Sequence, residues 1–353
     1  MEEIVIHIGT LSSYNSLVYY LGSKFNEIRE LYQSGRTPKV VFDLSNLEYG
    51  NISISALTGL LCNCKKLRDF LGYPIPAILK WDPQLQGFLA DIEFFRITER
   101  FKIFKWIPEG IVGGYKMGVI NPNTKILHYG DIKPLKNIDL SNIGIEKASL
   151  KQKIAPNFLM RCSSLFRGFD DPLEDTISNT TLELIVNCLM HAEDLAFVGL
   201  QRTKNRITIS VCDSGIGFKK SLSRSYPSLP HFKKLSTIEG ILIGSLIQKN
   251  IHGLRLAINE VLNYDPQNPS YNYNEGWVTI SSFESELRWQ KTNWAKAIEA
   301  FELIDLEKEL PSIPEILGSP VTDFISKDKV GLGYWKNYDN LLVGTRITFE
   351  IQF

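Results

Sequence analysis

Apolar positions in the first hundred residues follow two alternating periods. Residues 4–8 read as a short strand, and Leu17, Tyr20, Leu21, Phe25, Ile28 and Leu31 then recur at helical spacing, predicting a helix over 13–34 that Gly35 ends. The run Lys39-Val-Val-Phe-Asp-Leu-Ser45 is β-branched and aromatic without alternation, the pattern of a strand buried on both faces, and 46–51 supplies turn chemistry. Ser53 and Ser55 precede an amphipathic helix over 56–71 that Gly72 closes. A strand over 76–80 and a helix near 83–92 extend this into a β/α alternation.

Further along, Glu183-Leu-Ile-Val-Asn-Cys-Leu-Met-His191 sets Glu183, Asn187 and His191 four residues apart. At helical pitch they share one face within an apolar surround of Leu182, Leu184, Ile185, Val186 and Leu189. A strand pattern over 206–212 then delivers Asp213-Ser-Gly-Ile-Gly217. A carboxylate, an amide and an imidazole beside an Asp-x-Gly-x-Gly turn form a cradle suited to a metal-bound nucleotide. Each residue taken alone has a plainer reading: Asp-x-Gly-x-Gly is a common turn, Glu183 a capped or solvated helix residue, Asn187 a core amide and His191 a satisfied helix histidine.

At 353 residues the chain is long for one core, which favours two domains. Lys plus Arg and Asp plus Glu are each 39, so no global field draws it to nucleic acid or anionic lipid, although a local patch stays open. The cysteines, Cys62, Cys64, Cys162, Cys188 and Cys212, lack paired metal-ligand spacing and suit free thiols in a reducing compartment. The first residues lack the basic and apolar regions of a signal peptide, and no stretch reaches about 18 uninterrupted apolar residues, so a cytoplasmic protein is expected. Residues 106–150, with Pro108, Gly110, Gly113, Gly114, Pro122 and Pro134, read as a connector with a hairpin around 126–129.

Residues 1–105 resemble the STAS domain, the fold of anti-anti-sigma factors. The resemblance rests on Val40-Val-Phe-Asp-Leu-Ser-Asn-Leu-Glu-Tyr49, on the Ser-x-Ser-Ala-Leu-x-Gly-Leu-Leu helix start and on Leu85-Gln-Gly-Phe-Leu89. Family members usually carry Asp-Ser-Ser-Gly at that helix start; here Asn51-Ile-Ser-Ile-Ser55 replaces it. Ser53 or Ser55 is therefore either a regulatory phosphosite or a helix cap.

Residues 151–353 are similar to the GHKL ATPases, the Bergerat-fold superfamily of DNA gyrase, MutL, histidine kinases and anti-sigma serine kinases. Glu183–Ala192 resembles the N-box, Asp213-Ser-Gly-Ile-Gly-Phe218 the first glycine box, Ile251-His-Gly-Leu-Arg-Leu256 the second, and Leu342-Val-Gly-Thr-Arg-Ile-Thr-Phe349 the closing Gly-Thr strand. The resemblance implies ATP and Mg²⁺ as ligands. Asn187 is the implied magnesium ligand, since this hard cation takes oxygen donors jointly from protein and phosphate. Glu183 is the implied general base near the γ-phosphate. Asp213 would accept the adenine amine, with Thr345 sharing a water, while Gly215 and Gly217 let the backbone approach the base. His191 is a neighbour of the phosphates, and residues 219–253 form the lid, with Gly253 reaching phosphate oxygens. Met190 stands where many members carry Lys or Arg, and the second glycine box holds one glycine where two or three are usual. Arg255, on the helix after the lid, is read as facing solvent.

The expected fold class is thus α/β: an N-terminal STAS-like β/α domain, a connector over 106–150 and a Bergerat-fold α/β sandwich. An insertion at about 284–340 carries helices such as 293–310 and offers a partner surface or mere packing. The histidine-kinase subclass is disfavoured, because His7, His128, His231 and His252 are followed by Ile, Tyr, Phe and Gly rather than an acidic residue. Three functions remain in view. The first is an ATP-binding signalling protein acting as an ATPase or anti-sigma-type Ser/Thr kinase. The second is a non-catalytic ATP-sensing interaction protein whose lid and insertion switch partner binding. The third, a purely structural domain, is the weakest. A protein partner is expected, and a homodimer too, because both related domain types often pair.

Overall fold

The structure, a computed structural model, describes residues 2–108, 123–129, 143–169, 171–192, 195–247, 253–263, 276–302, 334–337 and 342–352. It is mixed α/β, with one parallel and one antiparallel sheet.

The N-terminal part runs β1 (Glu3–His7), α1 (Tyr14–Gln33), β2 (Lys39–Asp43), α2 (Ile54–Leu71), β3 (Ile75–Ile78), α3 (Pro83–Asp91), α4 (Phe94–Arg100) and β4 (Phe104–Ile107). Its four strands lie parallel in the order β1-β2-β3-β4, with Ile6 opposite Phe42, Phe42 opposite Ala77 and Ala77 opposite Trp106. Val40, Val41 and Phe42 are all buried, as an unalternating apolar run requires. The strand stops at Asp43, short of residue 45, because the Asp43 carboxylate accepts the Ser45 N–H at 3.0 Å and turns the chain. Asp82 caps α3 through the N–H groups of Gln84 and Leu85, and Pro83 takes the first helical position, where a missing N–H costs nothing. Gly72 closes α2 in the left-handed conformation at φ 79°. Ser53 holds the N-cap position of α2 without a cap hydrogen bond; its hydroxyl pairs with Ser55 Oγ at 2.9 Å instead. β4 runs past the expected boundary at 105.

The second part comprises β5 (Thr124–His128), α5 (Ile143–Phe166), α6 (Asp171–Asn187), a π turn at Cys188–Ala192, β6 (Ala196–Arg202), β7 (Arg206–Asp213), α7 (Gly217–Ser225), α8 (Thr237–Leu246), α9 (Leu254–Leu262), β8 (Trp277–Ser282), β9 (Ser285–Gln290), α10 (Lys291–Glu302), β10 (Tyr334–Asn337) and β11 (Thr345–Gln352). The seven strands are antiparallel throughout, in the order β10-β9-β8-β11-β7-β6-β5. Two features revise the connector expected over 106–150. β5 pairs with β6, setting Ile126 opposite Gly199, so its described partner is a distant strand and not the other arm of a local hairpin. α5 also begins at residue 143, inside that span. The helix expected over 293–310 begins at Lys291 and is described to Glu302; residues 303–310 lie outside the described part.

Strand alternation gives the antiparallel sheet two different faces. Ile207, Ile209 and Val211 of β7, with Val198, Ile280, Ile347 and Phe349, share a core with Ile177, Leu184 and Ile185 of α6, Ile241 of α8 and Ile258 of α9. On the other face Phe197, Cys212, Ile126 and Leu342 join the apolar core of the N-terminal part, where α2 packs on β6 and β7. Gly199 permits this approach: a Cβ there would run into Thr58 Oγ1 and sit 2.7 Å from Ile54 Cγ1. Two polar links accompany the packing, the Val343 N–H to Asn63 Oδ1 at 3.0 Å and the Arg161–Glu93 ion pair at 2.8 Å. The same sheet face carries a buried polar network in which Arg346 contacts Glu286 and Ser281, each at 2.8 Å, and Ser210 contacts Thr348 at 2.9 Å. Among the described residues no helix is long and apolar enough to cross a membrane.

Candidate functional site

Of the expected site residues, Glu183 and Asn187 lie on the C-terminal half of α6, Asp213 at the end of β7 and Thr345 at the start of β11. His191 falls in the π turn, Gly215 between β7 and α7, Gly217 at the start of α7, and Gly253 before α9. Asp213 is the last residue of β7 and is only 4% exposed. Its carboxylate accepts the Gly215 N–H at 2.9 Å, closing the tight turn that follows the strand. On the α6 side it hydrogen-bonds the Cys188 thiol of the π turn; burial first, then the negative charge of Asp213, pushes that thiol well above its ordinary range. Across the sheet, Thr345 pairs with Asp213 in the β11–β7 ladder.

Two glycines shape this corner. Gly217 opens α7 at φ +71°, where a Cβ would enter the Phe283 ring and lie 2.9 Å from Ser282 Oγ. Gly344, at φ +76°, has the backbone carbonyl of Asp213 where its Cβ would be. Both positions need the freedom that glycine alone has. Gly215 is different: it does not adopt a left-handed φ, and what it contributes is its N–H to Asp213.

Glu183 lies inside α6, 4% exposed, among Leu182, Leu184, Ile185 and Val186. Its carboxylate is met from α5 by the ammonium of Lys147 on one oxygen and by that of Lys151 at 3.3 Å on the other. Both lysines sit in or next to the span that reads as a connector, outside every motif, and their i, i+4 spacing on one helix is the signal the sequence carries for them. Asn187 ends α6 and is half-buried. The regular helix stops there. The π turn carries residues 188–192, so the three-residue stripe expected along one α-helix holds for Glu183 and Asn187 and then changes pitch. The side chain of His191 lies outside the described part.

The region expected as a lid, 219–253, is largely built into the fold. Ser236 and Glu239 form a reciprocal capping box at the start of α8, and Ile241, Leu242, Ile243 and Leu246 are buried against the sheet. A helix so apolar on all sides belongs to a core, so it is no flap. Residues 248–252 lie outside the described part. Gly253 precedes α9 in extended backbone, with open space where a Cβ would point. Arg255 does not face solvent as expected. Its guanidinium donates to Glu302 Oε1 at 2.5 Å and to the Leu246 carbonyl, tying α10 to the end of α8.

A cavity of about 540 Å³ elsewhere is lined by Asn123, Ser164, Arg167, Arg202, Thr203 and Lys204. Arg202 spends its guanidinium on the carbonyls of Leu165 and Arg167 and stacks on Phe169, closing the C-terminal end of α5. Among the described residues no group of three or more His, Cys, Asp or Glu side chains could hold a metal ion. A cation here would therefore rely on an amide such as Asn187 together with oxygens of a ligand. No protein-family model matches the chain, and neither a curated protein nor a solved structure is similar to it.

Proposed function

We propose that the chain is an ATP-binding signalling protein, a Bergerat-type nucleotide domain joined to a STAS-like domain. The observation that carries this reading is the ladder register setting Thr345 beside the buried Asp213, with glycines required at 217 and 344 around it. That corner suits adenine. A buried carboxylate accepts the exocyclic amine, and a hydroxyl across the ladder holds a shared water. Asn187 offers its amide oxygen to magnesium at the end of α6, and the ion, when bound, supplies positive charge to the phosphates. Glu183, one helical turn earlier, is the base in the ATPase or Ser/Thr kinase form of the reading, holding or taking a proton at its carboxylate. A protein partner, self-association and a cytoplasmic location belong to the same proposal.

A second reading, a non-catalytic ATP-sensing interaction protein, draws support from Asn63. This residue of α2 accepts a hydrogen bond from Val343, two positions before Thr345, so the STAS-like part touches the strand that completes the adenine corner. A shift of β11 on nucleotide binding would then reach α2.

Calorimetric titration with ATP and Mg²⁺ tests both forms. Wild type is expected to bind, Asp213→Ala to lose binding, and Asn187→Ala to bind without magnesium dependence; unchanged binding in both variants sinks the site. Phosphate release separates the two forms. If Glu183→Ala and wild type release phosphate equally slowly while both bind ATP, the catalytic form fails and the sensing form stands.

A further inference from the structure

Glu183 poses a charge problem that the adenine corner does not. Lys147 and Lys151 are four residues apart, hence on one face of α5, and both reach its carboxylate. One carboxylate cannot neutralise two ammoniums. Among the described residues neither lysine has another acidic partner, so one positive charge is left over beside a buried group. A purely structural ion pair would need one lysine; the Lys147 and Lys151 side chains are 17% and 30% exposed, so the second ammonium is open to an anion arriving from solvent.

Position along α6 says which part of a ligand that anion would be. Asn187, read as the magnesium holder between the phosphates, shares a face of α6 with Glu183, which lies one turn earlier, roughly 6 Å along the helix axis, and is met from α5. Met190, buried in the π turn, brings no cation of its own. We propose that Lys147 and Lys151 contact the terminal phosphate of a bound nucleoside triphosphate and set the preference for triphosphate over diphosphate. This rests on the nucleotide reading above. In the ligand-free protein the two ammoniums rest on Glu183; with a terminal phosphate present they are shared between it and the carboxylate.

The test compares affinity for ADP and for the β,γ-imido analogue of ATP, each with Mg²⁺, by calorimetry. Wild type is expected to favour the triphosphate about tenfold or more, and Lys147→Met/Lys151→Met to bring the ratio near one with ADP affinity held. Lys147→Arg/Lys151→Arg keeps the charge and is expected to keep the preference. Because the double methionine variant strands Glu183 without a cation, the comparison is repeated in Glu183→Gln with and without both methionines, where no carboxylate is left unpaired. A ratio that survives loss of both lysines, or equal losses for the two nucleotides, overturns the proposal. Wild type binding both nucleotides equally well overturns it alone, whereas wild type binding neither removes the nucleotide reading as well.

Discussion

Thr345 stands opposite Asp213 in the β11–β7 ladder, and Ala196 of β6 flanks the same aspartate on its other side. Asp213 is thus held at the centre of three strands, and its backbone can move only if the ladder moves. The backbone just before Thr345 presses directly on it.

That pressure makes Gly344 the most sensitive backbone position of the site. A Cβ at 344 would meet the Asp213 carbonyl and lie 2.6 Å from Ser214 Cα, at a φ that side-chain-bearing residues rarely adopt. Backbone atoms cannot rotate aside as a side chain does. Gly344→Ala is expected to cost about 2 kcal/mol or more, read as a lower urea midpoint, and to weaken ATP binding because Asp213 is displaced. A variant of wild-type stability would contradict the close approach.

Gly199 tests the contact between α2 and β6. Gly199→Ala drives a methyl into Thr58 Oγ1 and the Ile54 side chain, and overpacking of this kind costs about 1–3 kcal/mol. Removing the hydroxyl and methyl of Thr58 relieves part of it. A double-mutant cycle with Thr58→Ala should therefore show coupling, with the double variant more stable than the sum of the singles. Strict additivity would mean that α2 does not sit on β6 in solution.

Arg346 and Glu286 form a buried pair at 2.8 Å. Arg346→Met leaves the Glu286 carboxylate buried without its cation and is expected to cost about 3–5 kcal/mol by chemical denaturation. Arg346→Met/Glu286→Leu removes both charges and should recover most of that loss.

Burial raises the thiols of Cys162 and Cys212 to about 12, from 9.0. The folded state therefore binds these protons more tightly than the unfolded state. Their contribution is fully present below pH 9 and is lost as pH rises toward 12, at about 1 kcal/mol per thiol by pH 10. Urea midpoints at pH 7 and pH 10 should differ in that direction, and Cys162→Ala/Cys212→Ala should narrow the gap. Native protein should also react slowly with iodoacetamide at pH 8, since all five cysteines are buried.

Much of the N-terminal part was legible because its signals are local. The apolar period of α1, the unalternating run of β2 and Gly72 beyond α2 each act within a few residues, and the elements formed where these pointed. The strand that carries Asp213 was legible for the same reason, whereas the one that carries Thr345 was expected from the resemblance to a closing Gly-Thr strand. α8 belongs to the core and not to a lid because its own apolar composition demands burial, whatever the glycine-box resemblance implies.

By itself, then, the sequence determined the type and approximate limits of the elements with strong local patterns, β1 to α3 and β7 among them, and the chemistry available at Glu183, Asn187 and Asp213, because backbone propensity and side-chain period act over short range. The tertiary structure alone decided who meets whom. It brought Lys147 and Lys151 to Glu183, β5 to β6, Asn63 to Val343 and Arg255 to Glu302. Such pairings depend on how distant segments stack around shared cores, and nothing in the local pattern at either end records the partner.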